Sequence, residues 1–325
     1  NNSMKPDQSN RKVLPTKIFQ VGDLYYGVTK DKKGVEVKKV KGGRYAIRDL
    51  VIPQQITVGD YTLDVVAIAR KAFAKCIHLK SVIIPKTIRE IKEEAFCNCL
   101  SLTSVTIEDG VSCLGQYMFK GCRLLSSISL PSSITRFDGC GIFEECIKLS
   151  SINIPDSVTD IGSSAFRGCI HLESVTMPKS INIIPDYAFW GCKSLKSISM
   201  PDTVTEIGAS AFYGCYALAS IEIPYNVVKI GSNAFSGCIS FKDISIPDSV
   251  KEIEQSAFAY CVSLKSIILP KLIKSVGDGV FMECTSLVSI NYSSTMLDWE
   301  GIYKKKWRKN IPTKQIHCID GDINL

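Results

Sequence analysis

Ten cysteines recur at a single phase of a 23-residue period, at Cys76, Cys99, Cys122, Cys146, Cys169, Cys192, Cys215, Cys238, Cys261 and Cys284. Every interval is 23 residues except Cys122 to Cys146, which is 24. A phenylalanine stands three residues before each, from Phe73 to Phe281, and a leucine three residues after each, except that Phe241 replaces it once. The unit reads A-F-x-G-C-x-x-L-x-S-I-x-I-P-x-S-V-x-x-I-G-x-x. A repeat of this length excludes an ordinary globular core, because each unit is one supersecondary element that buries its apolar side only against its neighbours.

Within a unit, Leu195-Lys196-Ser197-Ile198-Ser199-Met200 alternates apolar and polar residues before Pro201, which reads as a short strand. Proline cannot donate to a ladder, so pairing stops there on one line across the coils. Val204 and Ile207 follow at helix-like spacing, Gly208 permits a turn, and Ala211-Phe212 opens a short helical return. The expected fold is an α/β solenoid: a right-handed leucine-rich-repeat superhelix with a parallel β-sheet on its concave face and short helical or 3-10 turns on its convex face. At a strand spacing of about 4.8 Å, ten coils make a slab on the order of 45–50 Å long.

The pattern resembles the BspA-type leucine-rich repeat of bacterial and protist surface proteins, most directly in Ile161-Gly162-Ser163-Ser164-Ala165-Phe166-Arg167-Gly168-Cys169. The entry segment from Gly59 to Ile68 resembles the family's approach to its first repeat. Ile290-Asn291-Tyr292, Trp299 with Ile302, Trp307 and Cys318-Ile319-Asp320-Gly321 resemble its exit. The likeness extends over residues 15–325. Glu108 and Ser293 depart from it by replacing the strand-ending proline, and Phe137-Asp138-Gly139-Cys140-Gly141 carries the one-residue insertion, expected to distort one coil locally. The resemblance implies a surface-exposed or secreted protein, some relatives being described as adhesins, and it implies no particular ligand.

The expected organisation is a flexible linker at residues 1–14, an N-terminal β-hairpin cap at 15–66, ten repeats at 67–292 and a C-terminal cap at 293–325. In the first cap Ile18, Val21, Tyr25, Val28, Val35, Val37 and Val40 supply the apolar residues. In the second, Trp299 and Trp307 close the core and 314–319 is a candidate last strand. Caps are required because a solenoid otherwise ends in an open apolar edge.

Charge excludes one broad class of partner. Residues 1–50 hold twelve Lys and Arg against five Asp and Glu, whereas the whole chain carries a net +7. The long middle section is therefore near neutral, which does not suit nucleic acid. No apolar run reaches the roughly 18 residues of a membrane span, and Asn1-Asn2-Ser3-Met4 has no apolar signal core.

Fourteen cysteines invite a metal or redox reading, but zinc sites want clustered ligands, and the only short pair is Cys97 with Cys99. One cysteine per coil at a fixed phase reads as a packing ladder of small buried thiols whose side chains point in parallel and do not pair. Cys97, Cys113, Cys140 and Cys318 lie outside that register, and a Cys113–Cys140 bridge stays open. His78 and His171 occupy equivalent loop positions two residues after the ladder cysteine, and His317 is the third histidine. No nucleophile elbow, H-E-x-x-H, phosphate-binding loop or dinucleotide motif occurs. Asp320-Gly321-Asp322 matches a fragment of a calcium loop and reads as a turn. The chain is therefore expected to be no enzyme and to hold no cofactor or metal, with a cryptic hydrolase as the remote alternative.

Partner-binding candidates lie elsewhere. Trp190 and Tyr213 stand two residues before the ladder cysteine in adjacent coils, with Tyr187 and Tyr216 close by. Such rings form either an exposed contact patch or local packing. Lys304, Lys305, Lys306 and Arg308 belong to the strongest cationic run, which is either a solvated cap face or a contact for acidic polymers. The strand column from Ser81 to Ser289 is nearly all serine and is read as a self-satisfying ladder more than as a binding face. The expected role is a cell-surface or secreted interaction module, a monomer taking an extracellular protein or glycan. The alternative is a spacer that carries other domains.

Overall fold

The computed structural model describes residue 15 and residues 17–325; the linker expected at 1–14 lies outside them. The chain winds into a parallel-sheet β-solenoid of about eleven turns with almost no helix. Each coil is hydrogen-bonded to the next along three lines.

The first line is the serine-bearing strand. Pairs run in register 23 residues apart, as in Ser81–Ile84 against Ser104–Ile107, Ser151–Asn153 against Ser174–Thr176, and Ser266–Leu269 against Ser289–Tyr292. Alternation decides its faces: in Ser104–Ile107, Val105 and Ile107 point inward while Ser104 and Thr106 are exposed. The second line was expected as a helix. The segments Glu206–Ile207, Lys229–Ile230 and Glu252–Ile253 instead pair as two-residue parallel strands. Val204 and Ile207 are both fully buried, so the spacing of three marks two inward positions around a corner, not a helical face.

The third line passes through the Phe-Cys segment. The Phe189 N–H donates to Ala211 of the next coil at 2.8 Å, and Phe212 to Ala234 likewise. The helical return expected here is a succession of turns, such as Cys192 N–H to Phe189 carbonyl at 3.1 Å. Left-handed residues, for example Tyr187 (φ 57°) and Gly191 (φ 70°), interrupt any helix within each unit. Gly208 also differs from expectation, since its backbone is not left-handed. A Cβ there would lie 2.6 Å from the Asp186 backbone nitrogen, so the glycine permits close approach of two coils.

The core is a continuous stack. Ten phenylalanines from Phe73 to Phe281 lie face to face with centroids 5.2–6.0 Å apart and interplanar angles of 1–24°. Phe241 substitutes for leucine by tilting against Phe235, fully buried. The insertion perturbs one place, as expected. The Gly139 carbonyl presses so close to Gly162 that a Cβ would sit 1.9 Å from it, and the second ladder breaks between Arg136–Phe137 and Ile183–Ile184.

Both ends are covered. At the N-terminus β1 (Phe19–Val21), β2 (Leu24–Val28) and β3 (Val35–Val40) form an antiparallel meander. β4 (Asp49–Val51) starts the serine ladder against Ser81–Ile83. β5 (Gln55–Val58) pairs with β6 (Tyr61–Ile68), which itself joins β3 and the second ladder. At the C-terminus α1 (Met296–Gly301), capped by Thr295, sets Trp299 against Trp307, both buried, and Trp307 meets the end of the phenylalanine stack edge-on to Phe281. Gln315–Cys318 and Gly321–Asn324 close the last sheet as a hairpin.

Candidate partner-binding surface

The cysteine ladder is accounted for by packing. From Cys99 to Cys284, each ladder thiol donates to the carbonyl of the phenylalanine one coil earlier, Sγ to O 3.0–3.3 Å. Those carbonyls also accept the backbone N–H of their own coil's cysteine, as Phe166 does from Cys169 at 3.1 Å. The residue required is thus small, apolar and able to donate one weak hydrogen bond, which describes a protonated thiol. Burial pushes the thiols of Cys122 through Cys261 up from their ordinary value, and Cys76 up to about 12. At Cys99 the adjacent Cys122 thiol acts ahead of burial in the same direction. All fourteen cysteines are unpaired. The Cys113–Cys140 bridge is therefore not made, and Cys140 Sγ lies 3.0 Å from Gln116 Nε2.

Outside the core, the column two residues before the ladder cysteine forms one connected row over five coils. Lys120 and Arg167 grip the buried Glu144 from either side at 3.0 and 2.9 Å. The Arg167 guanidinium lies over the Trp190 ring at 4.8 Å, and Trp190 stacks on Tyr213 at 5.6 Å with 5° between planes. The expected Trp190/Tyr213 pair is thus assembled, with Trp190 sandwiched and Tyr213 exposed. Tyr187 and Tyr216 are exposed beside it, and Lys193 Nζ lies 5.5 Å over the Tyr216 ring. The sequence reading omitted Lys120, Glu144 and Arg167. Following that column in register would have found them, since they are its three preceding members.

The cationic cap divides in two. Lys304 is turned inward: its ammonium donates to the carbonyls of Trp299 and Ile302, the latter at 3.2 Å, and lies 5.1 Å over the Trp299 ring. Burial lowers its pKa from the ordinary lysine value. Lys304 thus caps the end of α1 and leaves the candidate contact set. Lys305, Lys306 and Arg308 are exposed around the buried Trp307.

On the serine face the hydroxyls do not satisfy one another as expected. Ser81 and Ser266 donate to Asp49 and Asp243, at 2.5 and 2.6 Å. Two coils, at 197–199 and 220–222, fall out of strand pairing, leaving a shallow cleft of about 450 Å³ that Ser199, Asp202, Glu222 and Tyr225 help line. The acidic fragment near the C-terminus is the hairpin turn expected. Asp320 accepts the Met296 N–H at 2.8 Å, and Asp322 meets His317 Nδ1 at 2.9 Å. Among the described residues no helix is long and apolar enough to cross a membrane.

A family model described as the BspA type leucine rich repeat region matches in six copies, over residues 66–196 and 182–301. No curated protein sequence matches the chain. Among solved structures, a leucine-rich repeat protein from Bacteroides ovatus is 34% identical over 84% of this chain and 70% of its own, with a TM-score of 0.78. The T. pallidum leucine-rich repeat protein is 29% identical over 69% of this chain and 91% of its own, with a TM-score of 0.55. The pneumococcal vaccine antigen PcpA shares the fold, at 18% identity over 93% of this chain and 98% of its own, with a TM-score of 0.50.

Proposed function

The chain belongs to the BspA-type leucine-rich-repeat family, and on that premise we propose that it is a cell-surface or secreted interaction module that binds an extracellular partner through the turn side of the solenoid. The observation that carries this reading is the row from Lys120 to Tyr213. Every inward position of the repeat is occupied by packing, while this row places cations and aromatic rings on the outside of adjacent coils. Such side chains dominate binding energy at interfaces, and the serine column itself carries none of them. The rigid stack beneath holds them in a fixed geometry, so little conformational entropy is lost on contact.

The exposed Lys305, Lys306 and Arg308 form a second candidate contact, suited to anionic surfaces. The test is to array matrix proteins and glycans against the purified chain and against its Trp190→Ala/Tyr213→Ala variant. Binding that the double variant loses without a matching loss of thermal stability supports the reading. Silence across the array favours a spacer, and a large fall in Tm assigns the pair to packing.

A further inference from the structure

Immediately C-terminal to the Trp190/Tyr213 pair, the outer corner of the solenoid becomes apolar. The position one residue after the ladder cysteine holds Tyr216, Ile239 and Val262 in three consecutive coils, exposed by 43%, 39% and 38%. Tyr213 and Tyr260, exposed by 38% and 48%, flank that stripe. The coils are tied together beside it: Ser240 Oγ donates to the Tyr216 carbonyl at 2.5 Å, and the Lys265 N–H to Lys242 at 2.7 Å. Five large side chains therefore cover three adjacent coils, about 10 Å along the axis at sheet spacing.

Tyr260 adds a further ring. It occupies the position one residue before the ladder cysteine with φ 59°, in the left-handed region. Five other coils place glycine there, Gly121, Gly168, Gly191, Gly214 and Gly237, with φ of 68–75°, and four place Lys75, Asn98, Glu145 and Glu283, with φ of 58–62°. A tyrosine in that conformation carries a steric cost that glycine avoids, and its exposed ring does not recover that cost by burial. Non-glycine residues hold this conformation in five of the ten coils, so what sets Tyr260 apart is the large exposed ring it adds to the stripe.

Three lysines border the stripe, and the carboxylates near it are Asp243, beside Lys242, and Glu283, one coil beyond Tyr260, each of which accepts a hydrogen bond. Lys193 lies over Tyr216, while Lys242 and Lys265, three residues beyond Ile239 and Val262, are exposed. None of the three makes an ion pair with a described residue. The nearby carboxylate of Asp243 already accepts from Ser266.

We infer that this corner docks an acidic polypeptide segment bearing aromatic or branched apolar side chains, an inference that rests on the interaction reading above. A glycan fits less well. Trp190 has Arg167 on one face and Tyr213 on the other, so no sugar ring can stack on it, and Ile239 and Val262 provide neither a ring face nor a hydrogen bond. Carboxylates opposite Lys193, Lys242 and Lys265 and apolar groups over the stripe satisfy both halves of the surface.

The test is selection of a displayed random-peptide library on the full chain, followed by titration of synthetic copies of the enriched peptides. Expected peptides combine Asp or Glu with Phe, Trp, Leu or Ile and bind more weakly as salt rises. Tyr216→Ala or Ile239→Ser should weaken them by about tenfold or more. Lys242→Glu with Lys265→Glu should abolish the acidic preference. Tyr260→Gly is the decisive variant, because it should raise the Tm while weakening binding, which misfolding cannot imitate. Recovery of no peptide, peptides without acidic bias, or peptides indifferent to these variants overturns the inference. A glycan whose binding these variants remove overturns the choice of a polypeptide. If an array partner binds wild type and all these variants alike, the interaction reading survives and this surface does not.

Discussion

Alkaline pH should unfold this protein through its cysteine ladder. The eight thiols from Cys99 to Cys261 are fully buried, each is held above the ordinary thiol value of 9.0, and each donates a hydrogen bond that only the protonated form can make. In the unfolded chain the same thiols ionise near 9 and release their protons to solvent. The folded state is thus the one that retains protons, so its stability is complete below the unfolded pKa and falls as pH rises beyond it. While the folded thiols stay protonated, the loss depends only on the unfolded value. Eight such groups then remove about 3 kcal/mol at pH 9 and about 11 kcal/mol at pH 10. Against a stability of roughly 5–15 kcal/mol, the unfolding midpoint should fall between about pH 9.3 and pH 10.4. The assay is thermal or urea unfolding from pH 7 to 10.5 under reducing conditions, with Ellman's reagent counting reactive thiols in parallel. Cys169→Ala/Cys192→Ala/Cys215→Ala starts less stable, and its loss between pH 9 and 10 should be smaller by three of the eight protons. A Tm that holds steady to pH 10, or an unchanged slope in the triple variant, would refute the reasoning.

Phe189→Ala removes a ring stacked on Phe166 at 5.4 Å and Phe212 at 5.3 Å, and should cost about 3–5 kcal/mol in urea unfolding. Lys304→Ala leaves carbonyls at the end of α1 without their donor and should cost about 1–2 kcal/mol. Lys305→Ala, Lys306→Ala and Arg308→Ala should each stay within about 0.5 kcal/mol of wild type, yet reduce retention on heparin. Lys75→Gly replaces an exposed left-handed residue (φ 62°) and should stabilise the first coil by about 1 kcal/mol, seen as a rise in Tm.

Much of the fold was legible because the repeat makes one physical demand ten times over. Phe189, Cys192 and Leu195 face inward for the same reason as their counterparts in every coil: a 23-residue unit has no other place to bury them. From that periodicity follow the parallel register, the stack and the structural reading of the thiols. The terminal tryptophans were legible too, since an open end exposes the same apolar surface that every internal coil covers.

What the sequence left undecided depends on neighbours in space. The pair Val204 and Ile207 has a spacing that suits a helix or a corner between strands, and only hydrogen bonding to the adjacent coils makes Glu206–Ile207 a strand. Cys192 reads as a small apolar residue, but its acceptor, the Phe166 carbonyl, belongs to another coil. Lys304 and Lys305 are adjacent and alike in charge, and tertiary packing alone turns the first over Trp299 and leaves the second in solvent. Local sequence thus determined which residues must be hidden, because burial depends on side-chain chemistry and period. The structure decided which exposed groups meet, because a contact across coils depends on distances that no single repeat contains.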